Sequence, residues 1–95
     1  MTFEEFKQSL DGSQPPEGLN ILLHALWQDA KGNWDAAHTL AQDENSKRGA
    51  WIHAYLHRKE GDLSNAAYWY RLAGRPVSHK SLDDEWQEIA HELID

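Results

Sequence analysis

The chain has 95 residues, of which 40% are hydrophobic, and this is enough for one small domain around a single core. It contains no cysteine, so disulfide bridges, thiolate metal ligands and thiol nucleophiles are excluded. The amino terminus lacks the basic flank and apolar run of a secretory signal, and the longest apolar stretch, from Ile21 to Trp27, is too short to cross a bilayer. These features predict a cytoplasmic protein that does not associate with membranes.

Charge is distributed unevenly along the chain. Residues 1–46 carry eight acids and two bases, residues 47–75 carry six bases and two acids, and residues 76–95 carry six acids and one base, for a net charge of −7. Because a net negative protein repels phosphate, we expect no nucleic acid partner. The basic middle segment is instead expected to lie beside the acidic terminal segments.

The first predicted element is a short helix over residues 2–10, because Thr2 and the glutamate three residues later have the spacing of a capping box. A first helical hairpin is predicted over residues 19–42. Its first helix has leucines at the spacing of an amphipathic helix and ends at Gly32. Asn33 is then placed to cap the second helix with its side-chain oxygen.

A second hairpin is predicted over residues 46–73. Ser46 can cap its first helix, Gly61 ends that helix, and Asp62 can cap the next one. The side chains of this next helix that we expect to face the core are Leu63, Ala66, Tyr70 and Ala73. A last amphipathic helix is predicted over residues 81–94, where a run of acids in the first turn favours the helix dipole.

The two hairpins form an internal repeat with an offset of 29 residues. The identical pairs are His24 and His53, Ala25 and Ala54, Gly32 and Gly61, and Ala37 and Ala66. No segment shows the alternation of apolar and polar residues that is typical of a half-buried strand. The sequence therefore predicts an all-α single domain over residues 1–95.

The run from Gly61 to Ala73 resembles the turn and second helix of a tetratricopeptide repeat, although the spacing of 29 residues is shorter than the usual 34 or so. The segment from Trp51 to Asp62, with Asn65 and the aromatic run after it, also resembles a family of small uncharacterised bacterial proteins that form compact tetratricopeptide-like arrays. This resemblance implies two tetratricopeptide-like hairpins between a short N-terminal helix and a C-terminal capping helix, and it implies no assigned activity.

Histidines suggest a metal site. His53, His57 and Glu60 share one face of the predicted helix, since residues three or four apart are neighbours. His24 holds the repeat position of His53, so stacking of the hairpins can bring a third imidazole close, and such a site suits zinc or nickel. The preferred interpretation is a set of hydrogen-bonded core histidines, so no cofactor is predicted and the metal site is the alternative.

The five tryptophans and three tyrosines are more large rings than two short hairpins need, so some are expected at the surface. The last repeat helix is apolar on a second side as well. The residues of that side are Asn65, Tyr68, Trp69 and Leu72. We expect the C-terminal helix to cover this side, and the alternative is a partner protein, because aromatic residues anchor many interfaces.

Basic residues allow a further alternative. Arg58, Arg71 and Arg75 lie close to His57 in the sequence and can grip a carboxylate or phosphate. Ion pairs with the acids between residues 83 and 92 explain the same arginines without a ligand, and we prefer that interpretation.

The preferred function is a non-enzymatic protein interaction module whose groove takes a protein segment or a second copy of the chain. The residues expected to form this groove are His53, Tyr55, His57, Asn65, Trp69 and Arg71. No catalytic residue is assigned, because the sequence has no phosphate-binding loop and no nucleophile elbow. The alternative function is a small-molecule or metal-binding protein, including a hydrolase, built on the histidines and Glu60.

Overall fold

The computed structural model describes residues 1–94, in which every regular element is helical, as the sequence predicts. The helices are α1 (Phe3–Gln8), α2 (Ile21–Ala30), α3 (Trp34–Gln42), α4 (Lys47–Lys59), α5 (Leu63–Ala73) and α6 (Leu82–Leu93), with a 3-10 turn (Ser9–Asp11) after α1. None of the helices in this part of the chain combines the length and the apolar character that a membrane crossing requires.

Polar side chains begin the helices largely as predicted. At α1 the Thr2 hydroxyl accepts the N–H of Glu5 at 3.1 Å, and the Glu5 carboxylate accepts the N–H of Thr2 at 2.8 Å. The side chains of Ser46, Asp62 and Ser81 each accept the backbone N–H three residues further on. These bonds satisfy N–H groups that have no partner inside a helix.

One predicted helix start and one predicted capping bond are wrong. Leu19 was expected in α2, but the helix begins at Ile21 because the Asn20 side chain accepts the N–H three residues on at 2.8 Å. Asn33 precedes α3, yet its side chain donates to the Gln28 side-chain oxygen at 3.0 Å and does not cap the helix.

The internal repeat appears in the backbone of the two hairpins. Gly32 and Gly61 lie at the corners with φ of 84° and 90°, a conformation that favours glycine. In both corners the N–H after the glycine donates to the carbonyl five residues earlier at 2.9 Å. Because α2 and α4 end, and α3 and α5 begin, at positions 29 residues apart, the two corners are structurally equivalent.

Helix α4 is the centre of the molecule. Every residue from Gly49 to His57 is buried, and α4 contacts α2, α3, α5 and α6. Helix α6 lies against α2 and α4, and α1 covers it through Phe6, whose ring stacks on Trp86 with centroids 5.7 Å apart. The two sides of α4 are therefore different: α6 closes one of them, while α3 and α5 flank the other.

The prediction that α6 covers the second apolar side of α5 is wrong. Helix α6 is tied to the inner side of α5, where Tyr70 donates to Glu85 at 2.6 Å. On the second side, Tyr68 and Leu72 are 49% and 46% exposed. Leu63, expected in the core, is 65% exposed because it begins α5 at the hairpin corner, beyond the end of α4.

Candidate functional site

A depression between α3 and α5, with α4 as its floor, is the main concave feature beside the histidines, and we call it the α3–α5 groove. One end of it is a cavity of about 370 Å³ that extends to the loop before α4. Its apolar lining comprises Ala41, Ala50, Trp69 and Leu72. His53 and polar residues of the loop before α4 line the rest of this cavity, so its lining is mixed.

Three histidines meet in the groove, and we call them the histidine cluster: His38 from α3, and His53 and His57 from α4. One ring nitrogen of each lies within 4.8 Å of those of the other two. Two tryptophans hold the rings in place. Trp34 stacks on His38 with centroids 4.9 Å apart, and Trp69 stacks on His53 with centroids 3.7 Å apart.

His57 has a defined tautomer. Its Nδ1 lies 2.6 Å from the Glu60 carboxylate, and an ionised carboxylate only accepts hydrogen bonds, so Nδ1 carries the proton and donates. The Asn65 amide N–H donates to Nε2 over a long distance of 3.4 Å. In this tautomer Nε2 carries the lone pair of the ring and accepts this weak bond.

The other two imidazoles of the cluster are held neutral. Burial, followed by repulsion from positive charge on His38 and His57, lowers the pKa of His53 to about 4. Burial and the proximity of His57 also lower the pKa of His38, against the opposing influence of Glu60 and Asp35. Near neutral pH both rings therefore carry a nitrogen lone pair.

The structure does not place His24 with the cluster. The Gln28 side-chain amide donates to its Nε2 at 3.0 Å within α2. His24 and Gln28 occupy in the first hairpin the positions that His53 and His57 occupy in the second. His38 takes the third place in the cluster, and the sequence signal for it is its position one turn after Trp34 on the helix that faces α4.

Tyr55 and Arg71 were expected in the groove and lie elsewhere. Tyr55 is two residues after His53, which turns it about 200° around α4. It is buried on the opposite side, where its hydroxyl donates to Asp29 at 3.1 Å. Arg71 lies exposed on α5, outside the histidine cluster and the lining of the cavity. Of the predicted groove residues, the structure therefore brings together His53, His57, Asn65 and Trp69.

Two of the three arginines pair inside the molecule, as the preferred interpretation of the sequence holds, and the third forms no ion pair within residues 1–94. Arg58 lies 2.8 Å from the Glu85 carboxylate, and Arg75 lies 3.4 Å from Glu88 and over the Trp51 ring. These contacts join the basic middle of the chain to acidic α6. The arrangement favours helix packing over an anion-binding pocket.

Two buried carboxylates were not anticipated. Glu85, expected as a first-turn acid that favours the helix dipole, is 1% exposed and also accepts hydrogen bonds from the Trp51 indole at 3.0 Å and from Tyr70. Its position four residues before Ile89 places it on the buried face of α6. Asp29 is similarly enclosed, and its carboxylate lies 2.9 Å from the Lys59 ammonium group.

The chain matches no protein-family model, and comparison with curated proteins and with solved structures gives no significant match. The relationship to tetratricopeptide repeats therefore stays a prediction.

Proposed function

We propose that the protein is a helical interaction module that pairs with a second copy of itself through the α5 seam, which comprises Asn65, Tyr68, Trp69 and Leu72. The single observation that carries this proposal is the exposure of the seam to solvent. Tyr68 and Leu72 are about half exposed, and both are large apolar side chains at neighbouring turns of one helix. The spacing of the four residues is that of a helix face that packs on another helix.

The position of the seam supports pairing. In helical arrays each hairpin buries its apolar face against a neighbour, and two hairpins are fewer than such arrays normally need. Helix α6 covers α4 on the opposite side of the molecule. A second copy supplies the neighbour that the α5 end of the array otherwise lacks.

The seam can also pack against the same surface of a second copy. About a twofold axis between Tyr68 and Leu72, each tyrosine of an antiparallel helix pair faces the leucine of the other copy, which gives an isologous interface. None of the four seam residues is charged, so the approach of two chains with a net charge of −7 places no like charges in direct opposition within the seam.

Sedimentation velocity over a concentration range of about 1 μM to 1 mM tests the proposal. We expect the wild type to shift from monomer to dimer, and we expect Leu72→Glu to stay monomeric because it buries a charge in the seam. Leu63→Glu is the matched control, since this leucine is exposed on the other side of the same helix. It is expected to dimerise like the wild type.

A wild type that sediments as a monomer throughout this range would refute self-pairing and would leave a protein segment as the alternative occupant of the α5 seam. Equal dimerisation of the two glutamate variants would show that association uses another surface. Circular dichroism of both variants checks that the helices are retained.

A further inference from the structure

The histidine cluster has the composition of a metal site. Imidazole nitrogen is the ligand that zinc, nickel and related divalent ions favour. In a four-coordinate zinc site with Zn–N distances of about 2.0–2.1 Å, the nitrogens lie about 3.3 Å apart. The nitrogens of His38, His53 and His57 lie within 4.8 Å of one another, so binding of one ion requires ring rotations that close this spacing by up to about 1.5 Å.

The nitrogens of the cluster are available to a ligand. Within residues 1–94, His38 and His53 make no hydrogen bond through their rings, and no fully enclosed side-chain nitrogen or oxygen lacks a partner. Their ring nitrogens therefore reach solvent, although His53 as a residue is only 4% exposed.

The hydrogen bonds of His57 are those of a typical metal-binding histidine. Histidines that bind metals usually donate their second ring N–H to a carboxylate, which fixes the tautomer and raises the basicity of the ligating nitrogen. Glu60 plays this part at 2.6 Å from Nδ1, and among residues 1–94 the weak 3.4 Å bond from Asn65 is the only hydrogen bond that an ion at Nε2 has to replace.

We propose that His38, His53 and His57 bind one divalent transition-metal ion of the zinc class, with Glu60 as a positioning residue that acts through His57. Three protein ligands leave a fourth coordination position, and the α3–α5 groove gives it access to solvent. Trp34 and Trp69 support the outer two rings. The proposal does not depend on self-pairing through the α5 seam.

Calorimetric titration of the full-length, tag-free and chelator-treated protein with zinc chloride tests the site. We expect one ion per chain with a Kd of about 1 μM or lower. His38→Gln is expected to weaken binding at least about tenfold, because it removes the only ligand from α3. His24→Gln removes a histidine outside the cluster and is expected to bind like the wild type.

No binding by the wild type at about 100 μM zinc, or unchanged affinity in His38→Gln, overturns the proposal. His57→Gln gives the same test from α4, so a folding defect in one variant does not decide the outcome. Leu72→Glu is expected to retain zinc binding, which separates failure of the metal site from failure of self-pairing.

The positioning role of Glu60 is tested by zinc affinity and by the tautomer of His57. Glu60→Gln is expected to weaken zinc binding about tenfold and to shift the ¹⁵N signals of the His57 ring toward the other tautomer. A purely structural role of Glu60 would leave the tautomer unchanged. Unchanged affinity together with an unchanged tautomer would remove Glu60 from the site.

Discussion

At the residue scale, the buried Glu85 carboxylate joins three helices through hydrogen bonds. Its two carboxylate oxygens receive hydrogen bonds from α4, through Trp51 and Arg58, and from α5, through Tyr70. A buried carboxylate is stable only when paired and hydrogen-bonded in this way. Glu85 thus links the second hairpin to α6.

We predict that Glu85→Gln lowers the free energy of unfolding by about 2–4 kcal/mol, because it leaves the charge of the largely buried Arg58 without a partner. Glu88→Gln is the matched control. Glu88 pairs with Arg75 and Lys80 at the surface, and its loss is expected to cost no more than about 1 kcal/mol. Urea unfolding followed by tryptophan fluorescence measures both, and equal effects would contradict the assigned role of Glu85.

The two buried tyrosines predict a dependence of stability on alkaline pH. Burial, with the hydrogen bond to Glu85, raises the pKa of Tyr70 above its usual value near 10, and burial together with the charge of Asp29 raises the pKa of Tyr55. A raised pKa in the folded state favours the neutral phenol. The resulting stability is therefore complete below about pH 10 and is lost as pH rises above the pKa of the unfolded chain.

Unfolding by urea at about pH 8 and about pH 11 is expected to show this loss in the wild type. Tyr70→Phe removes one of the two groups, so the difference between the two pH values should become smaller. A difference that is the same in wild type and variant would show that Tyr70 does not cause the alkaline loss.

At the element scale, the start of α4 depends on a glycine. Gly49 lies in the first turn, and a Cβ atom added there would overlap the carbonyl oxygen of Glu44 in the preceding loop. The loop approaches the helix this closely because α3 and α4 are joined by only four residues. A short connection and a small residue together set the angle between the two hairpins.

We predict that Gly49→Ala destabilises the protein by about 1–2 kcal/mol, the cost of displacing the loop less the gain in helix propensity. Helix propensity alone would predict stabilisation of up to about 1 kcal/mol, so the sign of the change decides between the two effects. Thermal unfolding followed by circular dichroism measures it. A more stable variant would show that the loop moves away without cost.

At the scale of the whole molecule, α6 packs on one helix of each hairpin, α2 and α4, and so joins the two hairpins into one compact domain. The radius of gyration is 12.3 Å, close to the roughly 12 Å expected for a compact chain of this length. On one side of α4 the buried acids, tyrosines and indoles form satisfied hydrogen bonds with α6 and α2. On the other side the histidine cluster and the α5 seam remain open, so both proposed binding surfaces lie away from the closing helix.

Much of the fold follows from local signals in the sequence. The capping box at Thr2, the glycine corners at Gly32 and Gly61, and the apolar spacing of the helices each depend on residues within a few positions of one another. Asn33 shows the limit of such signals, because its side chain reaches Gln28 and leaves the expected cap unmade. A local rule fails where a nearby side chain offers a competing partner.

The sequence by itself determined the helices, their corners and the duplication of the hairpin, since backbone conformation and helix periodicity are short-range properties. Only the tertiary structure decided which side chains of different helices meet. It brought His38 to His53 and His57, turned Tyr55 toward Asp29 and buried Glu85 under three donors. These contacts depend on the packing angles between helices, which are set by many side chains at once and by no single motif.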